Sequence, residues 1–189
     1  MKSANAASAR NEVKPIPLEV NSLAPYFSGI DQNGNFQSLD RLSKKGPFVI
    51  MFYNGYWCNF CTDQLSEFQE GLDGLADHGF PIILVTPERK KYIEKTVKNT
   101  NVTFPILHDN LNYIMTKYKV AVNPPKSIAD QIDLKKVNNS KEPLLPVPAT
   151  YIVGKDGVIQ HGHFSLDFTA RSSFDKISAK VRELKELTC

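Results

Sequence analysis

The chain has 189 residues, 41% hydrophobic and 23% charged, with a net charge of +3 from 23 basic and 20 acidic side chains. These values fit one globular domain with a sizeable core, and the excess of base is too small to suggest nucleic acid as a partner. Three cysteines, Cys58, Cys61 and Cys189, are too few for a disulfide scaffold, and no run of about 18 apolar residues marks a membrane span.

Residues 1–17 open on "MKSANAASARNEVK", small and polar with no apolar signal-peptide core. A disordered leader is expected there, followed by one domain over 18–189. In "SLAPYFSGIDQNGNFQSLDRL" the pair Asn33-Gly34 signals a turn, predicting a hairpin or irregular N-terminal extension. Ser38 or Asp40 can cap a short helix ending before Gly46. "PFVIMFYN" (47–54) is a continuous apolar run of strand length and predicts a buried central strand.

From Cys58 the period changes. Cys61, Leu65, Phe68, Leu72 and Leu75 recur every three or four positions, the stripe of an amphipathic helix that Gly79 can end. "PIILVTPE" (81–88) predicts a second buried strand, "RKKYIEKTVKNT" a helix, "FPILHD" a short strand and "NLNYIMTKYKV" (110–120) a short helix. This alternation predicts a parallel sheet with helices on both faces. Segment 121–145 breaks the rhythm and reads as an insertion or lid, with a short helix around 126–136. "PATYIV", "GKDG" and "VIQHGHF" predict an antiparallel hairpin added to the sheet. Phe174, Ile177, Val181 and Leu184 predict a last amphipathic helix.

The pair Cys58 and Cys61 stands after a buried strand, on the first turn of a helix. First-turn N–H groups lack helical partners, and the helix dipole favours negative charge there. A thiol so placed loses its proton more readily, and the thiolate is the nucleophile. Positions i and i+3 share a helix face and bring two sulfurs within reach of a disulfide. Cys-x-x-Cys is also half of a zinc site, for which His161, His163 and Cys189 are the remaining candidate ligands. His161 and His163 share a strand face and, with the cysteine pair, would equally suit copper or zinc delivery. His78 and His108 have no evident partners, and Cys189 reads as a frayed terminal residue or a resolving or intermolecular thiol.

A strand, then "WCNFC", then a helix, then a distant proline just before a strand resembles the thioredoxin fold. More narrowly, "VIMFYNGYWCNFC", "ILVTPE", "FPILHD", "PVPATYIVGKDGVI" and "DFTARSSFDKI" resemble the peroxiredoxin-like branch of the alkyl hydroperoxide reductase/thiol-specific antioxidant (AhpC/TSA) family, across about residues 20–185. The resemblance implies an α/β domain with a central mixed sheet of four or five strands flanked by helices. It carries the N-terminal extension and the insertion near 121–145.

It also implies a thiol-dependent, antioxidant oxidoreductase with no cofactor and no resident metal. Its partners would be a protein or small-molecule disulfide, or a hydroperoxide, and an external thiol reductant. In thioredoxin-like proteins the first cysteine, here Cys58, attacks and the second, Cys61, resolves. In peroxiredoxins the motif Pro-x-x-x-Thr-x-x-Cys would make Cys61 the peroxidatic residue, but Asn54 and Cys58 stand where the proline and threonine should be. Trp57 and Tyr56 would shape access, and the dipeptide Asn59-Phe60 would tune the reduction potential. Pro148 would be a cis proline turning the Val147 backbone toward the sulfurs.

Phe52 occupies the place of the buried aspartate found in many thioredoxins. Glu88 is therefore a candidate general base or charge partner, its alternative being an exposed acid at a helix N-terminus. Arg171 is either a thiolate partner or half of a surface salt bridge with Asp167. The compartment expected is the cytoplasm, with the periplasm or export as the alternative.

Overall fold

The computed structural model describes residues 14–75 and 79–186. His78, Cys189 and the first thirteen residues of the expected leader lie outside them. Of that leader's last residues, Ile16 is tied down by its N–H to Lys119 O, 3.0 Å away.

A five-stranded sheet forms the centre. Its strands are β3 (Phe48–Phe52), β4 (Ile82–Thr86), β5 (Ile106–His108), β8 (Ala149–Val153) and β9 (Ile159–Phe164), in the spatial order β5-β4-β3-β8-β9. β3, β4 and β5 run parallel, while β8 and β9 join antiparallel. Every residue of β3, β4 and β8 is buried, which is why these strands read as unbroken apolar runs rather than alternating ones. Before them, β1 (Ser28–Ile30) and β2 (Phe36–Ser38) form the expected hairpin, with Gly34 at φ +86° in its turn. Ser38 caps the short α1 (Leu39–Ser43), its hydroxyl accepting the Arg41 N–H at 3.2 Å.

Helices cover both faces. α2 (Asn59–Asp73), α3 (Lys90–Thr100) and α7 (Phe174–Glu186) bury Cys61, Leu65, Phe68, Ile93, Phe174, Ile177 and Val181 against Val49, Met51, Leu84 and Ile152. On the other face Phe27, Leu42, Met115 and Tyr118 pack on Ile50, Phe52, Ile83 and Tyr151. Each Leu or Phe so buried contributes roughly 1.5–3 kcal/mol. The expected mixed sheet flanked by helices, with its N-terminal hairpin and late insertion, is therefore the observed fold.

Three expected helices differ in extent. α2 stops at Asp73 and is capped at Gly74 rather than Gly79. The helix expected over 110–120 is a 3-10 turn (Asn110–Asn112) and α4 (Tyr113–Lys117). They are separated because Leu111 and Asn112 take φ of 64° and 58°, and the Asp109 carboxylate accepts the Ile114 and Met115 N–H groups, both at 2.8 Å. In the insertion, one expected helix is two: α5 (Lys126–Ala129) and α6 (Leu134–Asn138), restarted by Asp133 capping the Lys136 N–H. β6 (Ala121–Val122) and β7 (Leu145–Pro146) pair antiparallel and close the insertion at its base.

The Val147–Pro148 bond is trans, as no peptide bond among the described residues is cis. This corrects the expected cis proline. Trans is the lower-energy form by about 0.5–1 kcal/mol, and the chain is held on both sides of the bond. Val147 N–H donates to Val120 O at 2.9 Å, and Pro148 O accepts from Ser165 N at 3.0 Å. The Val147 N–H is thus engaged within the fold and not turned to the sulfurs.

Candidate active site

β3, β4 and β5 end, β8 begins and β9 ends at one edge of the sheet, and the chemistry-bearing residues gather there. The loop 54–57 leaves β3 and delivers Cys58 as the N-cap of α2, with φ −91° and ψ 100°. Cys58 makes no side-chain capping bond, and as the N-cap residue it stands at the positive end of a 15-residue helix. Cys58 and Cys61 stand at disulfide-bonding distance, their Cα atoms 5.2 Å apart.

The two sulfurs are not equivalent. Cys58 is 8% exposed and Cys61 fully buried. Asn54 N–H points at Cys61 Sγ from 3.4 Å. Arg171 Nη2 lies 3.2 Å from Cys61 Sγ and 3.5 Å from Cys58 Sγ, and also donates to Phe168 O at 3.0 Å. Burial lowers the Arg171 pKa to about 10, against the opposing pull of Asp167, so the guanidinium stays charged at neutral pH. The surface salt bridge with Asp167 is not formed. The Asp167 carboxylate instead accepts the N–H and hydroxyl of Thr169 at 2.9 and 2.8 Å. The ion pairs among the described residues are Lys126–Asp130 and Lys180–Glu183. Arg171 is thus a partly buried cation without a carboxylate partner at contact, and a thiolate on the pair would supply the missing counter-charge.

Glu88 is fully buried, which overturns its reading as an exposed acid. Its Oε1 accepts the Tyr56 N–H at 3.0 Å, on the loop that carries the cysteines. Burial pushes its carboxyl up to about 8, while the Tyr56 N–H, Thr96 and Lys95 pull it down. Tyr53, buried beside it, is raised by burial first and by the Glu88 charge second. Gly55 sits at φ +151°, and a Cβ there would collide with the Glu88 carboxyl and the Trp57 indole nitrogen. Only glycine lets the loop pass this close. Tyr56 stacks on Tyr92 at 5.4 Å between ring centres, with the Lys95 ammonium 4.6 Å from the Tyr56 ring centre.

Three supporting groups went unread in the sequence. Gln64 Nε2 donates to Ser172 O and Oγ at 2.9 and 3.0 Å, and Ser172 Oγ donates to Thr150 Oγ1 at 2.9 Å. This buried chain ties α2, β8 and the residue after Arg171 together. The legible signal was an amide inside the apolar stripe, three positions after Cys61. His161 and His163 do share a face of β9, but no group of three His, Cys, Asp or Glu residues that could hold a metal occurs among the described residues. A larger cleft of about 730 Å³, beside Phe80 and Pro105, lies at the far end of the sheet and contains neither sulfur.

A sheet of this topology with a cysteine pair on the first turn of its principal helix defines a thioredoxin-fold protein. The chain belongs to the AhpC/TSA family, whose profile matches residues 20–162. It is 28% identical over 115 residues to the thiol-disulfide oxidoreductase ResA of Geobacillus kaustophilus, an alignment spanning 60% of this chain and 65% of that protein. The chain thus spans just under two thirds of that relative. Among solved structures, peroxidoxin BcpB of Mycobacterium tuberculosis matches with a TM-score of 0.69 at 17% identity, covering 88% of this chain and 98% of that one. The thioredoxin domain of a thiol-disulfide oxidoreductase from Bacteroides vulgatus matches at 0.60 with 18% identity, covering 87% and 99%. At these identities the structural likeness establishes the fold.

Proposed function

We propose that the protein is a thiol-dependent oxidoreductase whose Cys58/Cys61 pair cycles between dithiol and disulfide, in an antioxidant role. The observation that carries this reading is the asymmetry of the pair. One sulfur is reachable at a helix N-terminus, the other is sealed behind it, and one guanidinium faces both. Cys58 thiolate attacks a sulfur of a disulfide R–S–S–R′. A Cys58–S–S–R bond forms and R′S⁻ leaves, taking a proton. Cys61, deprotonated, then attacks Cys58 Sγ and expels RS⁻. The substrate gains two electrons and the pair becomes a disulfide, which an external thiol reductant reopens.

Arg171 and the α2 dipole stabilise the thiolate, and Trp57 and Tyr56 frame the approach. Glu88 holds the loop through the Tyr56 N–H and, with its carboxyl raised to about 8 by burial, is the candidate general base. Pro148 and Val147 fix the start of β8 through their backbone bonds with Ser165 and Val120. No helix among the described residues is long and apolar enough to cross a membrane. A working dithiol suits the cytoplasm, where thiols are kept reduced, with an exported setting as the alternative.

The test is to react reduced wild type, Cys58→Ser and Cys61→Ser with a disulfide and with hydrogen peroxide. Loss of disulfide attack in Cys58→Ser, with a trapped mixed disulfide in Cys61→Ser, is expected. Fast peroxide consumption lost only in Cys61→Ser would replace this reading with a peroxidase that forms its sulfenic acid on Cys61.

A further inference from the structure

Above Cys58 lies a cavity of about 280 Å³ that the thiol–disulfide chemistry does not by itself require. Its floor is Cys58 and Trp57, and Phe60, Ile128, Ile132 and Phe168 form its walls. The other lining groups are side-chain amides and a hydroxyl, and no charged side chain lines it. Phe60 is half exposed at its rim. Trp57 sets its indole nitrogen inward, beside Gly55 and Glu88, which leaves ring carbon for the cavity.

Ile128 and Ile132 come from the insertion and are four residues apart. Two attachments hold the insertion in place. The β6–β7 ladder closes its base, and Val137 O accepts the Arg89 N–H at 3.1 Å at the start of α3. Phe168 is coupled to the chemistry, since its carbonyl holds the guanidinium that faces both sulfurs. The cavity and the attacking sulfur therefore share Phe168 with the guanidinium, which itself does not line the cavity.

Resting on the function proposed above, we infer that this cavity is the substrate subsite, and that it selects an uncharged, apolar arm on the sulfur under attack. An ionised arm would leave water for a wall that offers no counter-charge. An aromatic or branched aliphatic arm would bury its carbon against Ile128, Ile132 and Phe168. Such an arm is either the side chain beside a cystine in a peptide or the organic part of a small disulfide.

The experiment measures kcat/KM of the reduced full chain for the disulfides of N-acetyl-Cys-X-amide with X as Phe, Gly, Lys or Asp, and for benzyl 2-hydroxyethyl disulfide. The Phe arm is expected to exceed the Lys and Asp arms at least tenfold. A benzyl arm that matches Phe assigns the preference to the apolar group alone, whereas Phe exceeding benzyl assigns part of it to the peptide backbone. Ile128→Asp is expected to lower the Phe-to-Lys ratio at least tenfold, and Ile132→Ala, which removes no more than side-chain carbon, to lower the Phe-to-Gly ratio several-fold. Equal rates for all arms, or ratios unmoved in both variants, would overturn the subsite while leaving disulfide exchange intact. If no disulfide turns over, the proposed function fails, and the cavity is then read with cumene hydroperoxide against hydrogen peroxide. A preference for cumene hydroperoxide that Ile128→Asp abolishes upholds the subsite, and its absence overturns it.

Discussion

Arg171 shows how much one side chain depends on what faces it. Its guanidinium is partly buried, lies 3.2 and 3.5 Å from the two sulfurs, and has no carboxylate at contact. A positive charge so placed favours the thiolate over the thiol, by about 1–3 pKa units for a close partner. Arg171→Met is therefore expected to slow alkylation of reduced Cys58 by iodoacetamide at neutral pH about tenfold and to move its pH profile upward by about one unit. An unmoved profile would show that the helix dipole suffices.

Glu88 makes the opposite kind of prediction, one about stability. Its folded-state pKa of about 8 lies above the ordinary 4.5. Below the lower value both folded and unfolded chains hold the proton. Between the two values only the folded chain does, so stability falls as pH rises, by an amount on the order of several kcal/mol once the upper value is passed. Glu88→Gln keeps an acceptor for the Tyr56 N–H and does not titrate. The variant is expected to gain on wild type in urea melts as pH goes from 5 to 9, and parallel curves would refute the assignment.

At the scale of elements, the insertion is the most separable piece. Val122 and Leu145 face each other across the β6–β7 ladder, so a short turn can bridge them without disturbing the five-stranded sheet. Replacing 124–143 by a four-residue Gly-Asn turn is expected to leave the far-UV spectrum that of a folded α/β domain, while Cys58 reacts faster with bulky alkylating agents. A collapse of the fold would show that the insertion is structural.

The elements themselves were legible to different degrees. Buried strands announced themselves by unbroken apolar runs and α2 by its stripe, because both patterns are dictated by burial. The break between α5 and α6, and the left-handed Leu111 and Asn112, were not visible, because short side-chain caps override a continuous periodicity. The trans bond at Pro148 was missed because the expectation came from resemblance, whereas the bonds at Val147 and Ser165 hold the backbone on either side of it.

Across the whole molecule, the sequence conveyed the pair and its position but not its environment. Cys58 and Cys61 could be placed from a strand and a helix that adjoin them. Arg171, 110 positions from Cys61, and Glu88, bonded to the loop that carries the pair, come to the site only because β3, β4, β5 and β9 end and β8 begins at one end of the sheet. Convergence of that kind is a property of topology. It made a buried acid look like an exposed one and a guanidinium that faces two sulfurs look like half of a surface salt bridge.

One residue of that convergence has a practical use. Trp57 is the only tryptophan in the chain, and it abuts the pair with its indole nitrogen beside Glu88. A disulfide quenches an adjacent excited indole, whereas two thiols do so less. The protein's ultraviolet emission is therefore expected to rise when the pair is reduced, which would give an optical gauge of its oxidation state without a dye.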